Sequence, residues 1–184
     1  MRKAAFFDRD GVINIDYGFV GKIENYDLID GVADVLHALK EKGYLLILVT
    51  NQSGIARGKY TESDFAKVTA FMQANLSLKD ACFDGIYFCP HHPQADLEQY
   101  RTECECRKPK SGMFLKAAAD LDIDLHASVM FGDHASDLIA ARGSGITDLY
   151  LVGEHIDTEK DKISDIKCYK KLQDAFFIYK NENK

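Results

Sequence analysis

Two carboxylates stand two positions apart in Asp8-Arg9-Asp10-Gly11, directly after the short apolar run Lys3 to Phe7. Side chains at i and i+2 share one side of a continuing strand, and Gly11 permits a turn that can wrap the backbone around a cation. Magnesium takes about six oxygen ligands, keeps several as water and needs only one or two protein carboxylates. Asp8 and the distant Asp133 can supply those. An Asp-Gly after a strand is by itself ordinary turn chemistry. Three further polar strings give the pair its weight: Thr50-Asn51-Gln52-Ser53-Gly54, Arg107-Lys108-Pro109 and Gly132-Asp133-His134-Ala135-Ser136-Asp137.

Cysteine and histidine form a second cluster. Cys89-Pro90-His91-His92-Pro93 is followed by Cys104-Glu105-Cys106, with twelve residues between His91 and Cys104. A Cys-x-His and a Cys-x-Cys together offer Cys89, His91, Cys104 and Cys106 as ligands for a tetrahedral zinc ion. On spacing alone His92 competes with His91. A disulfide is the alternative, although Cys104 with Cys106 would be strained and Cys89 could pair with either. Five cysteines cannot all pair within one chain, and in a reducing compartment they read as thiols or metal ligands. Cys82 and Cys168 are left as packed or surface thiols. The second ligand pair immediately precedes Arg107-Lys108, so a structural zinc with no open position would fix the backbone that presents these two cations.

These residues need a frame, and the hydrophobic pattern supplies one. Short apolar runs read as strands at Lys3–Phe7, Tyr44–Val49, Gly85–Phe88, Ser128–Phe131 and Leu149–Val152. The continuous run at 44–49 is expected of a strand covered on both faces. Between the runs lie helix-period stretches. One carries Val32, Val35, Leu36 and Leu39 and is closed by Gly43; others cover Gly112–Leu121, Ser136–Arg142 and, finally, Leu172–Tyr179. Thr61 with Asp64 reads as a capping box opening a helix whose inner face is Phe65, Val68, Phe71, Met72 and Leu76. Alternation of strand and helix predicts an α/β fold, a doubly wound parallel sheet with helices on both faces. In such sheets ligands sit at the carboxyl ends of the strands. Asp8–Gly11, Thr50–Gly54 and Gly132–Asp133 each follow a strand, so three polar clusters converge on one edge.

Composition excludes several classes. With 184 residues the prior is one domain, 1–184, large enough for a core without disulfide staples. A 46% hydrophobic and 28% charged composition is that of a globular chain, not a disordered or fibrous one. A net charge of −6 argues against a broad nucleic-acid footprint. No stretch approaches the roughly 18 apolar residues of a membrane span, and the apolar run near the start is too short for a signal peptide. The expectation is a cytoplasmic monomer whose partner is a small molecule.

In order and in strand-end context, the strings around Asp8-Arg9-Asp10-Gly11, Thr50-Asn51-Gln52, Arg107-Lys108-Pro109 and Gly132-Asp133 resemble the four motifs of the haloacid dehalogenase superfamily of phosphatases. The resemblance runs from residue 5 to about 152. It implies a Rossmann-like fold and phosphoryl transfer. Asp8 is then the nucleophile that forms an aspartyl-phosphate, and Asp10 the general acid and base. Thr50, Lys108 and the Asn51 backbone N–H hold the phosphoryl oxygens. Magnesium is bound by Asp8, the Asp10 carbonyl and Asp133, while Asp137 supports Lys108 or the Asp133 loop. A lysine is expected after the motif aspartate, but His134 stands there. Cap domains are common in the superfamily, yet only sixteen residues separate Asn14 from Gly31 and only one strand and the cysteine loop (about 89–106) lie between Leu78 and Arg107. A capless, open site follows, with Arg57 and Arg107 as spare cations for a second phosphate. The longer strings Gly54-Ile55-Ala56-Arg57-Gly58 and Cys104-Glu105-Cys106-Arg107-Lys108-Pro109 are similar to the histidinol-phosphate phosphatase-like branch. They imply a heptose bisphosphate substrate, one of whose two phosphates is removed on the way to heptose nucleotides and lipopolysaccharide. Histidinol phosphate is the alternative substrate, and a zinc-stabilised binding module without catalysis the alternative class.

Overall fold

A computed structural model describes residues 1–182. Six strands form one parallel sheet: β1 (Ala4–Phe7), β2 (Leu45–Asn51), β3 (Gly85–Cys89), β4 (Val129–Gly132), β5 (Asp148–Val152) and β6 (Lys167–Tyr169), in the order β3-β2-β1-β4-β5-β6. The α/β, doubly wound architecture expected from the sequence is the one observed. Register is tight at the centre, where Phe7 pairs with Leu48 on one side and Phe131 on the other.

Alternation along each strand divides the core. Ala5 and Phe7, with Leu46 and Leu48, face the helices α1 (Val32–Glu41), α3 (Glu62–Ser77) and α7 (Leu172–Glu182). Ala4 and Phe6, with Ile47 and Val49, face α4 (Gly112–Leu121) and α5 (Ala135–Ser144). The central strands therefore read as unbroken apolar runs although each face takes every second residue.

The Thr61–Asp64 capping box forms: Asp64 N–H donates to Thr61 Oγ1 and Thr61 N–H to Asp64 Oδ2, each at 3.1 Å. One expectation fails on that helix. Phe71 is 38% exposed, edge-on to Tyr26, because Phe65, Val68, Met72 and Leu76 take the buried seam and Phe71 sits one position, about 100°, off it. The short elements that the sequence pattern does not reveal include α2 (Ser53–Ala56), α6 (Ile156–Glu159) and β6. A four-residue helix leaves no periodicity, and β6 is a polar edge strand of three residues, Lys167-Cys168-Tyr169. Between Asn14 and Gly31 the chain makes one short 3-10 turn, Ile23–Asn25, and no inserted domain. No described helix is long and apolar enough to cross a membrane.

Candidate active site

The strand order reverses between β1 and β4, where connections leave the sheet on opposite sides and open a crevice at the carboxyl edge. Asp8 follows β1, Asn51 ends β2 and Asp133 follows β4, so all three arrive at this crevice. A cavity of about 370 Å³ occupies it, lined among others by Asp8, Asp10, Asn51, Lys108, His134 and Asp137. The backbone N–H of Asp8 donates to the Phe131 carbonyl at 3.1 Å, which ties the first loop to β4.

Lys108 comes from the long segment between β3 and α4. The Asn51 side chain seats it: Nδ2 donates to the Lys108 carbonyl and Oδ1 accepts from the Lys108 N–H, both at 3.1 Å. Lys108 Nζ then lies 2.8 Å from Asp8 Oδ1, Asp137 Oδ1 and the Val49 carbonyl, with its side chain 1% exposed. Burial alone would depress this ammonium, but the two carboxylates outweigh it and push its pKa above the ordinary lysine value. Asp137 also accepts the His134 N–H on Oδ2 at 3.0 Å, so it supports both Lys108 and the Asp133 loop.

Burial pushes the Asp8 carboxyl up, opposed by the charge of Lys108. Asp133 is 1% exposed, and neither of its carboxylate oxygens has a hydrogen-bond partner. His134 Nδ1 lies 2.9 Å from Asp133 Oδ1, an ion-pair contact outside hydrogen-bond geometry. Burial pushes Asp133 up to about 7, with His134 opposing and Asp8 and Asp137 adding to the shift. Contact with Asp133 in turn pushes His134 up to about 9. A buried carboxylate without donors is costly unless a cation completes it. Asp8, Asp133 and Asp137 bring oxygens within 4.8 Å of one another; both Asp137 oxygens are engaged, by Lys108 and by the His134 N–H, whereas Lys108 meets Asp8 at Oδ1, so Asp8 and Asp133 are the pair that fits a hard divalent cation. Gly11 (φ +79°) makes room, because a Cβ there would lie 2.3 Å from Asp133 Oδ2.

Asp10 is held by residues the sequence reading passed over. Arg9, 1% exposed, grips both Asp10 oxygens through Nη2 at 2.9 and 3.0 Å and donates to the Val20 carbonyl at 2.7 Å. Asn14 Nδ2 donates to Asp10 Oδ1 at 2.9 Å and Gln52 Nε2 to Oδ2 at 3.2 Å. Gln52 also donates to Thr50 Oγ1 at 2.9 Å, leaving the Thr50 O–H itself as a donor. Charge next to charge in Arg9-Asp10, and an amide two places after Thr50, were the available signals. Nothing in the sequence distinguished a buried arginine from a solvated one.

Cys89 Sγ, Cys104 Sγ, Cys106 Sγ and a nitrogen of His91 lie within 4.8 Å of one another. The sulfurs are 3.0 to 3.5 Å apart and His91 Nδ1 is 3.5 Å from Cys106 and 3.8 Å from Cys89. A tetrahedron of donors about 2.3 Å from a central ion has edges near 3.8 Å, whereas a disulfide needs about 2 Å. All five cysteines are free. The donor set could hold a tetrahedral zinc ion, and His91 rather than His92 stands among the thiols: His92 Nδ1 accepts the Gln94 N–H at 3.0 Å.

Thr50 is buried at the end of β2, beside rather than on the cavity wall. Arg57 and Arg107 also lie off that wall. They flank His92, with Arg57 Nη2 3.5 Å from His92 Nε2, and Arg107 Nη1 donates to the His91 carbonyl at 3.3 Å. Ser53, Ser136 and Phe19 line the cavity and were not singled out in the sequence.

A sequence model of the haloacid dehalogenase-like hydrolases matches residues 11–145. The chain is 49% identical over 167 residues to D-glycero-beta-D-manno-heptose-1,7-bisphosphate 7-phosphatase of Haemophilus influenzae, an alignment covering 90% of each chain. It is 48% identical over 164 residues to the enzyme of that name from Escherichia coli O6:H1, covering 88% of this chain and 86% of that one. In three dimensions it is similar to the crystal structure of D,D-heptose 1,7-bisphosphate phosphatase from B. bronchiseptica, complexed with magnesium and phosphate (TM-score 0.87, 28% identity, 98% and 99% of the two chains covered). Matched by the family model over most of its length, and sharing nearly half its residues with such enzymes, the chain belongs to the haloacid dehalogenase-like hydrolases.

Proposed function

We propose that the chain hydrolyses the C7 phosphate of D-glycero-β-D-manno-heptose 1,7-bisphosphate and leaves the C1 phosphate in place. The observation that carries this is the 48% identity, over 88% of the chain, to phosphatases named for that substrate. The cavity supports it with a carboxylate, a buried ammonium and a clamped second carboxylate on one wall.

Asp8 is the nucleophile. Its carboxylate oxygen forms a bond to phosphorus as the bond to the C7 oxygen breaks, and Asp10 gives that oxygen a proton. Asp10 then takes a proton from water, whose oxygen attacks the aspartyl-phosphate; inorganic phosphate leaves and Asp8 is regenerated. Lys108, the Thr50 hydroxyl and the Asn51 N–H hold the phosphoryl oxygens, and the Arg9 grip keeps Asp10 aimed. Fixed donors of this kind stabilise a loose, highly charged transition state without reorganising. Magnesium, held by Asp8, the Asp10 carbonyl and Asp133, supplies countercharge when bound. Zinc, held by Cys89, His91, Cys104 and Cys106, is structural and fixes the backbone leading into Lys108. Arg107 and Arg57 lie beyond the cavity wall, where the second phosphate would reach.

Phosphate release with magnesium tests the reading, comparing the β and α anomers of the bisphosphate with histidinol phosphate. A lead for the β anomer by orders of magnitude in kcat/KM, lost in Asp8→Asn, is expected. A lead for histidinol phosphate overturns the substrate, and turnover that survives Asp8→Asn overturns the nucleophile.

A further inference from the structure

The side of Asp133 away from Lys108 opens on a second cavity of about 580 Å³, bounded by Val12, Ile29, Val152, Leu172 and His155. There Asp133, His134 and His155 each bring a ligand atom within 4.8 Å of the others. The two imidazole rings are 4.9 Å apart between centroids and tilted by 42°. His134 also lines the catalytic cavity, so the cluster stands at the partition between the two spaces.

We propose that Asp133, His134 and His155 form an additional metal site, for a divalent transition ion of the zinc type, which shares Asp133 with the catalytic centre and switches that centre off. Two imidazoles and a carboxylate suit zinc and its neighbours, whereas magnesium prefers oxygen and rejects imidazole. Asp133 is buried with neither oxygen hydrogen-bonded, so a cation on either side meets a carboxylate already stripped of water. On this side, Glu159 is already committed: Oε2 accepts the Ala135 N–H at 2.9 Å and Oε1 is ion-paired to Lys162. The exposed His155 can rotate to close the site, and the second cavity is the path of entry. A soft-preferring ion on the imidazole side draws the Asp133 carboxylate away from the magnesium side. The device depends on the imidazole of His134, since a lysine at position 134 would offer the ion no ring nitrogen.

The switch rests on reading Asp133 as a magnesium ligand; the site itself does not. Purified protein with its thiol cluster loaded with zinc is titrated with cobalt(II) chloride, read by visible absorption. In parallel, zinc chloride is added to the magnesium-dependent phosphate-release assay. One further equivalent of cobalt with a nitrogen–oxygen spectrum, and at least tenfold suppression of turnover by micromolar zinc, are expected. His155→Ala keeps basal turnover but loses the added equivalent. Its zinc inhibition weakens by at least about tenfold, the low end of what even outer partners contribute to metal affinity. His134→Asn loses the same equivalent. Equal uptake by wild type and His155→Ala overturns the site. Uptake without loss of turnover overturns the shared-ligand switch. A chain that releases no phosphate even without zinc refutes the phosphatase reading, while the cobalt titration still decides the site.

Discussion

Lys108 Nζ and Asp8 Oδ1 are 2.8 Å apart across 100 positions of sequence, both largely withdrawn from water. The ammonium serves two carboxylates, Asp8 and Asp137, that would otherwise repel each other. The phosphoryl group that Asp8 is proposed to take up would meet a countercharge already in place.

Replacing Lys108 by Met therefore removes a charge that three groups depend on. Breaking a buried ion pair costs roughly 3–5 kcal/mol, because an uncompensated charge remains. Loss of a donor to the transferring group costs about 10²- to 10³-fold in rate. Urea unfolding and kcat/KM on the same preparation should show both losses; full stability with lost activity would mean the ion pair contributes only to chemistry.

Arg9 should act through Asp10. An Arg9→Met variant is expected to lose about ten- to a hundredfold in kcat, part of the 10²- to 10⁴-fold that a positioned acid–base group supplies. KM should stay nearly unchanged, and Arg9→Lys should restore little, because an ammonium cannot reproduce the two-oxygen grip. A rise in KM alone would assign Arg9 to substrate binding instead.

Gly11→Ala places a Cβ where Asp133 Oδ2 now lies, at 2.3 Å, in a backbone region that costs an L-residue about 1–2 kcal/mol. The magnesium concentration for half-maximal activity should rise by more than about tenfold, since ligand placement governs affinity. Unchanged magnesium dependence would separate Asp133 from the metal.

Chelation of zinc, followed by restoration of magnesium alone, should lower Tm by about 5–10 °C, or 2–3 kcal/mol for a chain of this size. Activity should fall with it, because Cys106 leads directly into Arg107 and Lys108. Zinc should restore both, and Cys106→Ser should not recover. Metal analysis that finds no zinc in a fully active preparation would remove the clamp.

Arg107→Ala should reduce turnover of the bisphosphate more than that of a simple phosphomonoester. Its guanidinium carries five donors, one of which is spent on the His91 carbonyl. Equal losses on the two substrates would exclude a role at the second phosphate.

Much of this protein was legible from its residues. Continuous apolar runs and helix-period stretches dictate a parallel sheet covered on both faces, and that topology sends Asp8, Thr50 and Asp133 to one edge whatever the loops do. Cys89, His91, Cys104 and Cys106 carry their chemistry in their spacing. The tertiary structure decided what depends on convergence. It set His91 rather than His92 beside the three thiols, and gave His92 the Gln94 N–H as a partner. It buried Arg9 against Asp10, a fate that a charged residue in a loop does not announce. It moved Phe71 off the core, placed Arg57 and Arg107 beyond the cavity wall, and brought His155 to Asp133 and His134 from a different loop. Periodicity and local chemistry are properties of neighbours in sequence; burial, charge compensation and metal geometry depend on neighbours in space, which only packing assigns.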